Sequence, residues 1–202
     1  MLDTALSALI RKPVEGLARR LVRLGAGADN ITLLGFGVGI GGAAAIAVGW
    51  PLWGLLGVLL SRLLDGLDGA VARLTNPTDR GAFLDITLDF LFYASIPLAF
   101  AVANPASNAL PAAVLLAAFM GTGSSFLAFA VLAERRGLKS AAFPRKGMFY
   151  LGGLTEASET LICFALMCLW PAQFAWWAYG FAVLCALTIA GRLVAGWQAF
   201  RV

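Results

Sequence analysis

Residues 65 to 90 read DGLDGAVARLTNPTDRGAFLDITLDF. Four of the aspartates in this window, Asp65, Asp68, Asp85 and Asp89, stand among apolar neighbours, and Asp79 belongs to the polar turn between them. Asn76-Pro77-Thr78-Asp79-Arg80-Gly81 breaks the stretch into the end of one apolar helix and the start of the next. Asp65 and Asp68 are three apart, and Asp85 and Asp89 are four apart, so each helix presents two carboxylates from one face. With so short a turn the helices are expected to be antiparallel neighbours whose acidic pairs converge. A carboxylate at the centre of a bilayer costs on the order of 2.5–3.5 kcal/mol on insertion scales, so such groups need water, a cation or a function.

The rest of the chain makes the bilayer the relevant solvent. Of 202 residues, 60% are hydrophobic and 13% are charged, with a mean hydropathy of +0.85. A soluble domain is nearer ~45–50% apolar and ~25% charged. Six windows have the roughly 20 apolar residues that a spanning helix needs: about 31–50, 51–73, 82–104, 108–133, 148–170 and 173–197. The expected fold is therefore all-α, an integral membrane domain of six transmembrane helices over residues 25–202, preceded by a juxtamembrane helix over residues 1–24.

Charge placement sets the expected topology. The net charge is +4, but the basic residues do not form a nucleic-acid footprint. They lie before span 1 (Arg11, Lys12, Arg19, Arg20, Arg23), in span 2 and the turn after it (Arg62, Arg73, Arg80), between spans 4 and 5 (Arg135, Arg136, Lys139, Arg145, Lys146), and at the end of span 6 (Arg192, Arg201). The other connections hold none, which puts both termini and the acidic window on the cytoplasmic side of an inner membrane. In residues 1–24, Leu2, Leu6, Ile10, Val14, Leu17 and Leu21 recur every three to four residues between basic ones. That pattern reads as an amphipathic helix lying on anionic membrane lipid, kinked or restarted at Pro13, rather than as a cleavable signal.

Four crowded carboxylates repel one another unless a cation sits among them. All-oxygen sites suit hard divalent ions, and Mg²⁺ or Mn²⁺ held by carboxylates and substrate phosphates is the usual arrangement. Two such ions would stabilise both oxygens of a phosphoryl displacement. Gly66 and Gly69 flank the acids, with Ala70 and Ala72 after them, and let a ligand or a helix approach the backbone. Arg73 could hold a pyrophosphate with its fork. Arg62, one turn before Asp65, is expected to pair with a carboxylate. The chain has no His, and Cys163, Cys168 and Cys185 lack metal-ligand spacing and read as packing residues.

The pattern Asp65-x-x-Asp68-Gly69-x-x-Ala72-Arg73, then Gly81-x-x-x-Asp85-x-x-x-Asp89, resembles the signature of the CDP-alcohol phosphotransferase (CDP-alcohol phosphatidyltransferase) family. The loop between Arg73 and Gly81 is one residue shorter than in the family pattern, while the spacing within each helix is intact. The resemblance implies transfer of a substituted phosphate from a CDP-linked donor to an alcohol, with release of CMP, by a homodimer. It implies metal binding by Asp65, Asp68 and Asp85, with Asp89 as a further ligand and as the base on the acceptor hydroxyl. Gly69, Ala72 and Arg73 would line the nucleotide site. Asp29-Asn30-Ile31-Thr32 is similar to a Pro-Asn-x-x-Thr-like stretch of the family, with Asp29 in the Asn place, so Asp29 and Thr32 would touch the cytidine or its phosphates; alternatively Asp29 caps the first span.

Glu156 and Glu159, with Thr155, Ser158 and Thr160 around them, are read as facing an acceptor cavity or an ion pair, because two carboxylates cannot face lipid. Lys139, Arg145 and Lys146 are read as part of the same acceptor region or as topological charge alone. The leading expectation is a phosphatidyltransferase of phospholipid biosynthesis that uses CDP-diacylglycerol and an alcohol acceptor, a glycerol-type polyol or its phosphate. Within the enzyme class the alternative is a soluble CDP-alcohol donor with diacylglycerol as acceptor. Outside it, the alternative is a divalent-cation transporter, which the one-ended clustering of the acids disfavours.

Overall fold

The computed structural model describes residues 2–137 and 154–201, and over residues 2–12 it describes the backbone alone. Among the described residues seven α-helices follow in order: α1 (Leu2–Arg23), α2 (Ala28–Ala47), α3 (Pro51–Leu74), α4 (Asp79–Ala103), α5 (Pro105–Arg135), α6 (Ala157–Leu169) and α7 (Phe174–Ala199), with a 3₁₀ turn, Pro171–Gln173, before α7. There is no strand among the described residues.

The breakers act where the sequence puts them. Gly25 and Gly49 adopt left-handed φ of 78° and 87°. Each closes the helix before it with the paired backbone bonds of a Schellman motif: Ala26 N–H to Leu21 O and Gly25 N–H to Val22 O, then Trp50 N–H to Ala45 O and Gly49 N–H to Ile46 O. Pro51 and Pro105 occupy the first turns of α3 and α5, where a missing N–H costs nothing. Thr78 caps α4 by accepting from Gly81 N–H at 3.0 Å. α1 runs through Pro13 as one helix and does not restart there.

Four segments, Ala28–Ala47, Asp79–Ala103, Pro105–Arg135 and Pro171–Ala199, are long and apolar enough to cross a membrane. α3 has the length, at 24 residues, but carries Arg62, Asp65, Asp68 and Arg73 from its middle onward. Its outward residues Leu52, Trp53, Leu56, Leu59, Leu60 and Leu63 are all exposed and apolar. α6 is a 13-residue apolar helix; the first part of the window expected at 148–170 lies outside the described residues.

α2 is the central post. It packs along both α3 and α4, whereas α3 and α4, expected to lie directly against each other, scarcely meet through their backbones. The cause is the glycine content of the α2–α3 contact. A Cβ at Gly57 would stand 2.6 Å from the Gly42 Cα, and one at Gly42 would stand 2.9 Å from the Gly54 carbonyl oxygen. Small residues let backbones approach this closely, so α2 and α3 cross in direct contact. Gly39 leaves room for the Phe92 ring and the Ser61 hydroxyl, which a Cβ there would meet at 2.6 and 2.8 Å. The main core joins α2 to α7 around Phe92, Ile96, Phe100, Leu115, Phe164, Met167 and Phe174. A second, smaller core sits at the acidic end, where Ala18 of α1 is wholly buried against Ile31, Leu67, Ala70 and Val71. Arg19, Arg20 and Arg23 point away from that contact and are exposed.

A carboxylate cleft between α2, α3 and α4

Because α3 and α4 stand apart with α2 behind them, side chains rather than backbone fill the space between. Asp65, Asp68 and Asp85 each bring one carboxylate oxygen to within 4.8 Å of the others. Asp68 is 5% exposed, and its Oδ2 is buried with no hydrogen-bond partner among the described residues. The ligand oxygens of one Mg²⁺ or Mn²⁺ lie about 3–4 Å apart, given metal–oxygen bonds of about 2.1 Å. The trio therefore needs only a small contraction to hold an ion, and an ion would satisfy the orphaned Asp68 oxygen. These residues fit a hard divalent cation.

Asp89 lies outside the trio. Its Oδ1 accepts from Arg62 Nη1 at 2.7 Å, and the same nitrogen is 3.5 Å from Asp65 Oδ1. The ion pair expected for Arg62 is thus present with a carboxylate of each helix. A small cavity of about 10 Å³ lies among Ser61, Arg62, Asp65, Asp68, Asp85 and Asp89, room for about one water or ion.

A wider cleft of about 420 Å³ opens beside it, within the range of ligand pockets. It is lined by Asp29, Thr32, Gly69, Ala72 and Gly81, five of the residues expected at a nucleotide site, with Asp68 and Asp85 at its inner wall. Arg73 is exposed at its rim, with Nη1 3.3 Å from the point where a Gly69 Cβ would stand. Gly66 is exposed, faces open space and does not line the cleft.

Two further features of the cleft were not legible beforehand. Asp29 accepts from Arg80, with Nη2 at 2.6 Å and Nε at 2.9 Å from its Oδ2, which ties the start of α2 to the start of α4. Its other oxygen explains Gly81: a Cβ there would stand 3.1 Å from Asp29 Oδ1 and 3.2 Å from Thr78 Oγ1. The shortened loop therefore keeps its glycine closely packed. No local pattern links positions 51 apart, so the sequence carried no signal for the Asp29–Arg80 pair.

Glu156 and Glu159 do not enter either cavity. Glu156 is the N-cap of α6 rather than part of its interior, and the two carboxylates form a capping box: Glu159 Oε2 accepts from Glu156 N–H at 3.2 Å while the Glu156 side chain accepts from Glu159 N–H. Lys139, Arg145 and Lys146 lie outside the described residues. Cys163, Cys168 and Cys185 are buried free thiols, as packing residues should be.

Comparison with known proteins agrees with this geometry. Residues 27–190 match the family model described as CDP-alcohol phosphatidyltransferase. The chain is 48% identical over 201 residues to the inner membrane protein YnjF of Escherichia coli (strain K12), covering 100% of this chain and 98% of that protein. It superposes on the crystal structure of Mycobacterium tuberculosis phosphatidylinositol phosphate synthase (PgsA1) with CDP-DAG bound, at a TM-score of 0.73 and 25% identity, covering 91% of this chain and 93% of that one. The same enzyme in complex with manganese and citrate gives a TM-score of 0.72 at 25% identity, over 91% of this chain and 88% of that one. Four membrane-length helices and near-complete likeness to an inner membrane protein make this an integral membrane protein. With its acidic signature gathered at one cleft and the family model spanning most of its length, the chain belongs to the CDP-alcohol phosphatidyltransferase family and is a transferase of phospholipid biosynthesis.

Proposed function

We propose that the protein moves the phosphatidyl group of CDP-diacylglycerol to an alcohol acceptor and releases CMP. The observation that carries this reading is the juxtaposition of the Asp65–Asp68–Asp85 trio with a cleft of about 420 Å³ lined by the signature residues Gly69, Ala72 and Gly81. The likeness to an enzyme solved with CDP-DAG supports the lipid donor.

In this reading the cytidine and its phosphates occupy the wide cleft, with Asp29 and Thr32 at its α2 wall and Arg73 at its rim. Asp65, Asp68 and Asp85 would hold the divalent cations, two Mg²⁺ or Mn²⁺, which when bound would supply charge neutralisation to the pyrophosphate; the likeness to a manganese complex supports such an ion. Asp89 accepts the acceptor's hydroxyl proton at a carboxylate oxygen as that hydroxyl oxygen bonds to the lipid-linked phosphorus. The bond from that phosphorus to the bridging oxygen breaks, and its electron pair leaves on CMP.

The chain crosses the membrane six times in this reading, as α2 to α7, with both termini and the cleft on the cytoplasmic side of a bacterial inner membrane. α1 lies on the inner leaflet with Arg19, Arg20 and Arg23 toward lipid headgroups. The enzyme works as a homodimer. The acceptor is a glycerol-type polyol or its phosphate. Glu159 supports an acceptor side near α6: Phe164 stacks edge-on to Phe92, with centroids 6.5 Å apart, so the start of α6 and Asp89 of α4 lie at similar depth. Lys139, Arg145 and Lys146 would supply an anionic acceptor with its counter-charge.

The test is CMP release by the purified protein from CDP-diacylglycerol with Mg²⁺ or Mn²⁺, one acceptor at a time, beside the Asp89→Asn variant. Metal-dependent CMP release with one acceptor, lost in the variant, is the expected result. No CMP with any acceptor, from folded protein that binds Mn²⁺, overturns the lipid-donor reading.

A further inference from the structure

Arg62 is the part of the cleft that the family reading leaves unexplained. Its side chain is 15% exposed, and it is held from several sides. Nη1 bonds to Asp89 at 2.7 Å and lies 3.5 Å from Asp65. The guanidinium carbon stands 4.2 Å from the centre of the Phe92 ring and 5.4 Å from that of Tyr93, within cation–π range. Gly39 of α2 leaves the space that lets Phe92 and Ser61 close around it. A surface arginine is a mobile charge, but this one is built into the wall.

The charges then divide in two. Asp65, Asp68 and Asp85 carry three negative charges and one divalent ion would reduce them to one. Asp89 and Arg62 neutralise each other. A second divalent ion between Asp65 and Asp89 would need the two oxygens that face Arg62 Nη1, so guanidinium and metal compete for one place. We propose that Arg62 is a positioning residue that serves as a fixed counter-cation between Asp65 and Asp89. It fixes Asp89 for its reaction and limits the substrate-free protein to one tightly held divalent ion per chain. This rests on the proposed function for the role of Asp89, but the ion count does not depend on it.

The experiment measures Mn²⁺ binding and CMP release for four purified proteins: wild type, Arg62→Met, Asp89→Asn, and the double variant. Mn²⁺ binding is read by equilibrium dialysis and by paramagnetic resonance without substrate. Wild type should bind one Mn²⁺ per chain. Arg62→Met should bind a second, or hold the first at least tenfold more tightly; a variant that merely unfolds the site would bind less. Because Arg62→Met leaves the half-buried Asp89 without its ion-pair partner and can destabilise the fold, the double variant removes both charges together and should bind one Mn²⁺, as wild type does. In kinetics, Arg62→Met should lower kcat at least thirtyfold with donor KM little changed. Folded Arg62→Met with wild-type Mn²⁺ stoichiometry and affinity overturns the inference. So does a raised donor KM with kcat unchanged in Arg62→Met. If wild type binds one Mn²⁺ and Arg62→Met two while no protein releases CMP, the proposed function fails and the counter-cation stands.

Discussion

Replacing Gly57 with alanine tests whether the α2–α3 crossing sets the geometry of the cleft. The added Cβ would stand 2.6 Å from the Gly42 Cα, 3.1 Å from the Gly42 nitrogen and 3.2 Å from the Val38 carbonyl oxygen, all of them backbone. No side chain can rotate away, so the helices must separate. Carbon atoms rest about 3.5–4.0 Å apart, which demands a shift of about 1 Å. Forcing extra atoms into a packed contact costs roughly 1–3 kcal/mol. Asp65 is eight residues further along α3, about 12 Å away at 1.5 Å per residue, and α2 carries the opposite wall of the nucleotide cleft. A misplacement of about 1 Å at a reacting centre can cost about 10²-fold in rate. Gly57→Ala should therefore lower the unfolding temperature in detergent and reduce CMP release by roughly 10- to 100-fold. Gly41→Ala, where an added Cβ meets nothing within 4 Å, is the control and should lose neither. Wild-type stability and turnover in Gly57→Ala would refute the argument that this crossing positions the carboxylates.

Three further outcomes follow from the same geometry. Asp68→Asn should weaken Mn²⁺ binding at least about tenfold with the fold retained, because the proposed trio would lose its buried carboxylate; unchanged binding by equilibrium dialysis would remove Asp68 from the site. Glu159→Ala should destabilise by roughly 0.5–2 kcal/mol through loss of the capping box, while Glu159→Gln, which can still accept from the N-cap N–H, should not. A raised acceptor KM in the Gln variant would instead show that Glu159 meets the acceptor. Arg80→Ala should change stability by less than about 1 kcal/mol, since Arg80 is 80% exposed and its pair is screened by solvent. Its effect should appear in donor KM, and a lowered unfolding temperature with donor KM unchanged would make the pair purely structural.

What the sequence revealed was what short-range periodicity can carry. The i, i+3 and i, i+4 spacings placed the carboxylates on helix faces, and the Gly and Pro breakers ended α1, α2 and α4 within a few residues of where they were expected. The arrangement across helices was hidden, because it depends on which glycines meet. Gly42, Gly54 and Gly57 look alike in sequence to Gly37 and Gly41, yet only the first group lies at a backbone contact. That difference put α2 between α3 and α4, where the sequence suggested that α3 and α4 pair directly. The Arg62–Asp89 bond joins residues 27 apart, and only its nearer half, the approach to Asp65, follows from helix geometry. Glu156 and Glu159, expected at an acceptor cavity or in an ion pair, also form the capping box of α6, and their spacing of three at a helix start is the local signal for it.

Among the described residues, both cavities draw their lining from positions 27 to 89, and α5, α6 and α7 add nothing to either wall. In the proposed function the molecule is thus modular along its chain: one contiguous segment handles the donor, and the remainder can be altered without redesigning the carboxylates. A chimaera joining residues 1–104 of this protein to the later helices of a relative should keep the donor and metal preference of the first parent and take its acceptor from the second.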